Sequence, residues 1–555
     1  MPRTQPAAPH PAQVEQVARR ALGVEELRDG QRPSIDAVLR GHDVLSVMPT
    51  GSGKSAIYQV AGALIDGPTL VVTPLVALQH DQVRSLERLD AGDAAALNST
   101  ASPARRARLL ERVHDGSLEF LLLAPEQLAR PETLDQLVAA APSLVVVEEA
   151  HCVSAWGHDF RPDYLRLRDV FEALGHPPTI ALTATASPPV RRHIVDRLGL
   201  RDVVTVVTGL DRPNIDLQVR RPEHERDKLS MVRDVLEQHG GRRIVYTMTR
   251  QRTEDVAALL ADSGVEARAY HAGLSAGDRR AVHDGFVDGS VDVVVATSAF
   301  GMGIDVSDVR GVVHWDTPDS LDEYSQEIGR AGRDGDPAQA HLLFRPEDLS
   351  RRTALHARRL VAAATVERVL EALAQVGDTT DVATLAAQLD LHPRSVTAAL
   401  TRLREVDAVE LDARGGVRVR RLDGALRAVQ DDDEARRTWQ ESRAALLREY
   451  AESARCRRQA LLGYFGQAAD PCGDGCDNCR RGIAGPAPSE ATTGERPEWL
   501  RPDRPVVHVR WGEGRVVRSN ADATVVWFER EGYRTLSTPL VLERDGEMQK
   551  GAPIS

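Results

Sequence analysis

The chain has 555 residues, of which 42% are hydrophobic and 27% charged, with a formal net charge of −12. That length predicts several hydrophobic cores; the acidic balance excludes wholesale electrostatic coating of a polyanion while permitting local basic tracks; and no apolar run approaches the roughly 20 residues that cross a bilayer. The N-terminus MPRTQPAAPHPAQVEQ lacks the apolar core of a secretion signal, so a cytoplasmic protein without a membrane partner is expected. Five cysteines in so long a chain do not predict a disulfide framework, and four of them crowd together as metal ligands do.

In chain order, DVLSVMP (43–49), TLVVTP (69–74), EFLLLAP (119–125), SLVVVEE (143–149) and TIALTA (179–184) are continuous apolar runs separated by helical stretches. Such runs suit buried strands of a mostly parallel sheet. The pattern restarts after RRPEHERDK (220–228), with RRIVYT (242–247), EARAYHA (266–272), VDVVVATS (291–298), RGVVHW (310–315) and AHLLF (340–344). The fold class expected is α/β, with two tandem lobes over 1–208 and 209–350.

Residues 351–430 read as helix, short helix, turn at Leu391-His392-Pro393, helix and β-rich hairpin, which is the outline of a winged helix. Its third helix carries Arg394, Arg402 and Arg404, and both DNA contact and plain packing remain open for it. A zinc-binding helical segment (431–482), a flexible linker (483–502) rich in Pro, Gly, Ser and Thr, and a small five-stranded β-barrel (503–545) follow.

Met48-Pro49-Thr50-Gly51-Ser52-Gly53-Lys54-Ser55 lies between a strand and a helix. Glycines there let backbone N–H groups turn toward phosphates; Lys54 reaches the terminal phosphates and Ser55 ligates Mg²⁺. The first glycine of the strict pattern is replaced by Met48. Glu148 and Glu149 end the run SLVVV, where carboxylates can hold Mg²⁺ (Glu148) and act as general base toward water (Glu149), although a charged strand end can also be merely solvated. Arg330 and Arg333, three apart in the second lobe, can reach one phosphate group across a cleft. In His151-Cys152-Val153-Ser154-Ala155-Trp156-Gly157-His158-Asp159-Phe160-Arg161, two aromatics can stack on unpaired bases while Arg161 engages phosphate or base. Cys456, Cys472, Cys476 and Cys479 suit tetrahedral structural zinc, with an iron–sulfur cluster as the alternative.

On these motifs the chain resembles the RecQ-like DNA helicases of superfamily 2, over about residues 15–350 and again at the cysteines, which implies that the two lobes are RecA-like P-loop lobes. The resemblance implies that Arg28 and Gln31 recognise adenine and that Thr50, Gly51, Ser52, Gly53, Lys54 and Ser55 cradle the phosphates of ATP. It also implies that Asp305 contacts ribose or a finger arginine, and that Gln326 positions the water or γ-phosphate beside Arg330 and Arg333. Thr73, Gln82, Trp156, Phe160, Arg161, Arg250 and His271 fall on its DNA-contacting motifs. Glu148 stands where the family has Asp.

The expected activity is that of a cytoplasmic, nucleoid-associated, monomeric ATP-dependent 3′→5′ DNA helicase in repair or recombination, using ATP, Mg²⁺ and Zn²⁺ on single-stranded and forked or tailed duplex DNA. The alternatives are a translocase that does not unwind and a DNA-binding scaffold with weak ATPase. Val507-His508-Val509-Arg510-Trp511-Gly512-Glu513-Gly514-Arg515 resembles the Tudor-like tail of UvrD- and PcrA-type helicases, which implies docking of a protein such as RNA polymerase. A merely stabilising module is the competing expectation.

Overall fold

The computed structural model describes residues 11–23, 26–74, 76–88, 92–98, 101–128, 130–154, 162–238, 240–301, 306–357, 361–376, 379–411, 416–484, 500–519, 523–537 and 542–543. The first lobe is a seven-stranded parallel sheet: β1 (Val44–Val47), β2 (Thr69–Val72), β3 (Ala94–Leu97), β4 (Phe120–Leu123), β5 (Leu144–Val147), β6 (Thr179–Thr183) and β7 (Val204–Val207), in the order β3-β4-β2-β5-β6-β1-β7. Every residue of β1, β2, β4, β5 and β6 is buried. Helices cover both faces, which is why these strands are apolar throughout and do not alternate. Two strands of this sheet escaped the sequence pattern. Ala94–Leu97 has little β-propensity and becomes a strand through its parallel register with Phe120–Leu123. Val204–Val207 closes the other edge beside β1.

The second lobe is a six-stranded parallel sheet of β8 (Ile215–Arg220), β9 (Arg242–Tyr246), β10 (Ala267–Tyr270), β11 (Val293–Ala296), β12 (Val309–His314) and β13 (Ala338–Leu343), ordered β10-β11-β9-β12-β13-β8. β8 was also unforeseen. Its burial alternates along IDLQVR, as suits an edge strand with one face covered.

Three helices, Ala363–Val376, Val382–Leu389 and Pro393–Glu405, then pack on the antiparallel strands β14 (Thr379–Asp381), β15 (Val409–Leu411) and β16 (Gly416–Val419), the topology of a winged helix. Asp381 caps the second of these helices by accepting from the Ala383 and Thr384 N–H groups. On the third helix, Arg402 is committed to Glu405, Asp432 and Asp433, so it is a packing residue rather than one offered to a phosphate. The expected boundary at 430/431 lies inside a single helix, Ala425–Glu452, in which neither Pro nor Gly interrupts the chain.

That long helix ties the zinc segment to the second lobe. Arg443 pairs with Asp322 at 3.1 Å and lies 4.3 Å over the Trp439 ring, while Tyr450 packs on Tyr324 at 5.4 Å. Past the linker, β17 (Pro505–His508), β18 (Gly512–Ser519), β19 (Ala523–Phe528), β20 (Gly532–Ser537) and β21 (Leu542–Glu543) form a five-stranded antiparallel sheet. One side of it belongs to the main core. The Tyr533 hydroxyl lies 2.7 Å from Ser187 Oγ of the first lobe, and its ring contacts Trp439 and Tyr464 of the zinc segment. Among the described residues, no helix is long and apolar enough to cross a membrane.

Tyr533→Phe keeps the ring and deletes the hydroxyl bond, at an expected cost of about 1 kcal/mol. Hydrogen exchange should then show faster opening of helix Pro188–Leu198, with the β9–β13 strands unchanged.

Candidate active site and metal centre

The carboxyl ends of β2, β5, β6 and β1 lie side by side because the strands are parallel neighbours, and the site is built on them. After β1, Gly51 and Gly53 adopt φ of 80° and 77°, the left-handed region that a side chain disfavours, and the loop curls into helix Ser55–Leu64. Lys54 Nζ donates to the Met48 and Pro49 carbonyls at 3.0 and 3.1 Å. Burial lowers its pKa from the usual lysine value, against the opposing pull of Glu149 and Glu148. Gln31 Nε2 donates to the Ser52 and Gly53 carbonyls at 3.1 and 2.9 Å, and Arg28 donates to the Gly51 carbonyl at 2.8 Å. Both residues therefore knit onto the loop itself. The buried Ser52 and Thr185 hydroxyls have no hydrogen-bond partner among the described residues, which fits a site shaped for phosphate oxygens and a hydrated cation.

Glu148 is buried, and that burial raises its pKa. Both its oxygens accept from Gln82 Nε2, at 2.6 and 2.8 Å, and its backbone carbonyl accepts from the Tyr164 hydroxyl at 3.1 Å. Glu149 has φ 47°, an uncommon conformation for a side chain of its size that marks a constrained turn. Its carboxylate lies 3.3 Å from His151 Nδ1, which is 3.0 Å from Thr183 Oγ1; the Thr183 hydroxyl donates onward to the Thr185 carbonyl at 3.0 Å. Since Thr183 has one proton and spends it on Thr185, His151 Nδ1 carries the proton it shares with Thr183. A line of polar contacts thus joins the end of β5 to the end of β6.

The second lobe reaches this loop directly. A Cβ placed on Gly51 would lie 3.0 Å from Arg333 Cδ, so the arginine side chain rests on the phosphate loop. Arg330 is buried and hydrogen-bonded to the Gly301 carbonyl. Gln326 lines a cavity of about 40 Å³ shared with Pro49, Thr50, Thr185 and Gly329. His314, the last residue of β12, has its Nε2 2.8 Å from Glu327 Oε2. Burial holds the His314 pKa down to about 3 and pushes Glu327 up to about 8, against Arg352 and Arg330, so it favours the neutral form of both groups.

Family models match in three places: DEAD/DEAH box helicase over 28–193, helicase conserved C-terminal domain over 227–335 and RecQ zinc-binding over 417–480. The "Probable ATP-dependent DNA helicase RecS" of Bacillus subtilis is 40% identical over 336 residues, covering 60% of this chain and 67% of that protein. The chain belongs to the RecQ family. The "ATP-dependent DNA helicase RecQ" of Pasteurella multocida is 39% identical over 464 residues, 83% of this chain but 61% of its own length. Among solved structures, the DUF1998 helicase MrfA bound to DNA and AMPPNP aligns with a TM-score of 0.52 at 20% identity, over 63% of this chain and 54% of that one, a likeness of fold.

The four cysteines of the RecQ zinc-binding segment place their sulfur atoms within 4.8 Å of one another, with Cys456–Cys472 at 3.4 Å and Cys472–Cys479 at 3.7 Å. Thiolates about 2.3 Å from one tetrahedral zinc stand about 3.8 Å apart, so this donor set would hold a single Zn²⁺ and is too tight for a multi-iron cluster. The metal loop docks on the edge of the second sheet: Leu217 N–H donates to the Gly475 carbonyl at 3.1 Å, and Arg480 pairs with Asp216 at 2.7 Å. Arg457 and Arg458, which follow Cys456, are engaged internally. The first is buried against Asp477 at 2.9 Å; the second holds Asp211 at 3.3 Å and the Pro213 carbonyl at 3.0 Å.

Of the residues expected on the DNA side, Arg250 is exposed beside Gly273. His271 is buried, accepting from Gly273 N–H and lying 3.0 Å from Glu254, and Thr73 is buried at the end of β2. Gln82 is turned to Glu148. Trp156, Phe160, Arg161 and Asp305 lie outside the described residues. Tyr164 and His151 were not singled out as site residues from the sequence, and no spacing rule announces a hydroxyl that finds a backbone carbonyl across a fold.

Cys476→Ser should lower bound zinc on metal analysis and expose residues 467–484 to limited proteolysis. The Glu327 proton is kept in the fold up to about pH 8 but in the unfolded chain only to 4.5, so its stabilisation is full below 4.5 and is lost as pH rises through about 8. His314 acts on the acid side, its charging in the unfolded chain removing stability below 6.5. In urea titrations across that range, Glu327→Gln, which keeps a donor for His314, should flatten the alkaline limb and leave the acid limb.

Proposed function

We propose that the chain is a cytoplasmic, nucleoid-associated, monomeric ATP-dependent 3′→5′ DNA helicase that translocates on single-stranded DNA and separates forked or tailed duplexes in repair or recombination. The observation that carries this reading is Arg333 of the second lobe lying on Gly51 of the first, which divides one nucleotide site between two bodies. Residues 1–208 and 209–350 then act as the two moving lobes, with 351–430 as the winged helix, 431–482 as the zinc segment, 483–502 as linker and 503–545 as the tail module. A site split in this way is completed by closure and dismantled by opening, so hydrolysis is coupled to a change of grip on the strand.

In this assignment Lys54 binds the terminal phosphates and Ser55 and Glu148 hold Mg²⁺, with Arg28 and Gln31 at the adenine end and Asp305 at the ribose. Mg²⁺ held by these residues would offset part of the phosphate charge. Glu149, at the end of β5 and held beside His151, takes the proton of the attacking water. Arg330 and Arg333 offset charge on the transferring group, and Gln326 orients it. Arg250 and the segment holding Trp156, Phe160 and Arg161 serve the strand. On the C-terminal module, the side away from Tyr533 presents stacked His508 and Trp511, 4.3 Å apart, next to the strongly exposed Val509; this is the face we assign to a protein partner such as RNA polymerase.

A 3′-tailed duplex, a 5′-tailed control and an RNA equivalent, each given with ATP and Mg²⁺, test the reading. Strand separation of the 3′-tailed DNA with hydrolysis stimulated by single strands is expected. Glu149→Gln should retain ATP binding with turnover below about a tenth of wild type. Stimulated hydrolysis without separation would make the protein a translocase, and absence of stimulation would remove the motor assignment.

A further inference from the structure

Helix Val76–Arg88 starts just behind Thr73-Pro74, and Gln82 lies in its second turn. The side chain reaches back to the first lobe's acidic pair, with Nε2 at 2.6 and 2.8 Å from the two Glu148 oxygens. Only the nitrogen end of an amide can face an ionised carboxylate, so the orientation is chemically forced. The amide oxygen is buried with no hydrogen-bond partner among the described residues. A neutral donor that spans both oxygens fixes the rotation of the carboxylate and leaves its charge for a cation, whereas an arginine or lysine in its place would compete with that cation. The contact also depends on side-chain length: Glu148 has one more methylene and one more rotatable bond than the aspartate that the family resemblance implies at this position.

We infer that Gln82 is a positioning residue of the magnesium site, holding the long Glu148 side chain in place, and not a contact to the DNA strand; this rests on the ATPase reading above. The residue sits on the helix that follows the Thr73-Pro74 segment, so a strand seated on that segment would act on the metal carboxylate through one hydrogen bond.

The experiment is Mn²⁺ titration of the full chain with a non-hydrolysable ATP analogue, followed by electron paramagnetic resonance, for Gln82→Ala and the volume-keeping Gln82→Leu. Each is made with Glu148 intact and with Glu148→Asp. With Glu148 intact, Mn²⁺ affinity should fall about tenfold while analogue binding in EDTA is kept. With Glu148→Asp the shorter carboxylate cannot reach the amide, so the same changes at Gln82 should cost less than about twofold. Affinity for single-stranded DNA without nucleotide should stay within about twofold of wild type.

Equal losses in both backgrounds, or Mn²⁺ affinity unchanged by either substitution, would overturn the assignment. Lost strand binding with unchanged Mn²⁺ affinity would return Gln82 to the DNA track. Failure of the wild-type chain to bind the analogue in a metal-dependent way would instead defeat the ATPase reading itself.

Discussion

Parallel pairing is the constraint on which the rest depends. Because β2, β5, β6 and β1 are neighbours running the same way, four loops leave the sheet along one edge, and the phosphate loop, the Glu148-Glu149 pair and Thr183–Thr185 meet there without any of them being near the others in sequence. Such an edge concentrates charge in a buried place. Lys54 is lowered and Glu148 raised for the same reason, desolvation, and each is the other's partial remedy. The carbonyls that accept from Lys54 and the amide that donates to Glu148 supply the remainder.

The second half of the site is held in place from behind. The helix Leu321–Ile328, which leads to Arg330 and Arg333, has Asp322 bound by Arg443 and by the Tyr464 hydroxyl, and Tyr324 packed on Tyr450. These partners all come from the zinc segment. The zinc segment therefore supports the helix that leads to the two arginines, as well as closing a loop around its four thiolates.

Much of this was legible in the sequence for a simple reason: strands buried on both faces must be apolar along their whole length, and loops that bind phosphate must contain glycine. LVVV at 144–147 and the Gly51–Gly53 pair are of that kind. The strand Ala94–Leu97 was not, since alanine has no preference that survives without its neighbour. Side-chain partnerships were the least legible. Arg402, Arg457 and Gln82 each look like a donor offered outward when read along the chain, and each is consumed by a carboxylate that is 20 or more residues away. The winged helix was recognisable by its order of elements, yet its end was not, because the helix that leaves it continues unbroken into the zinc segment.

The Ser187–Tyr533 contact spans 346 positions and sets an order on biosynthesis. The helix Pro188–Leu198 leaves the ribosome early but cannot acquire its last packing partners until the strand Gly532–Ser537 has been made, and at about 5–20 residues per second that delay is on the order of tens of seconds. During this interval the first lobe carries an incompletely covered surface next to Thr185. The nascent chain is therefore open to proteases and chaperones at the surface where the tail module will later seat, and slow translation of the intervening codons would lengthen the exposure without altering any residue.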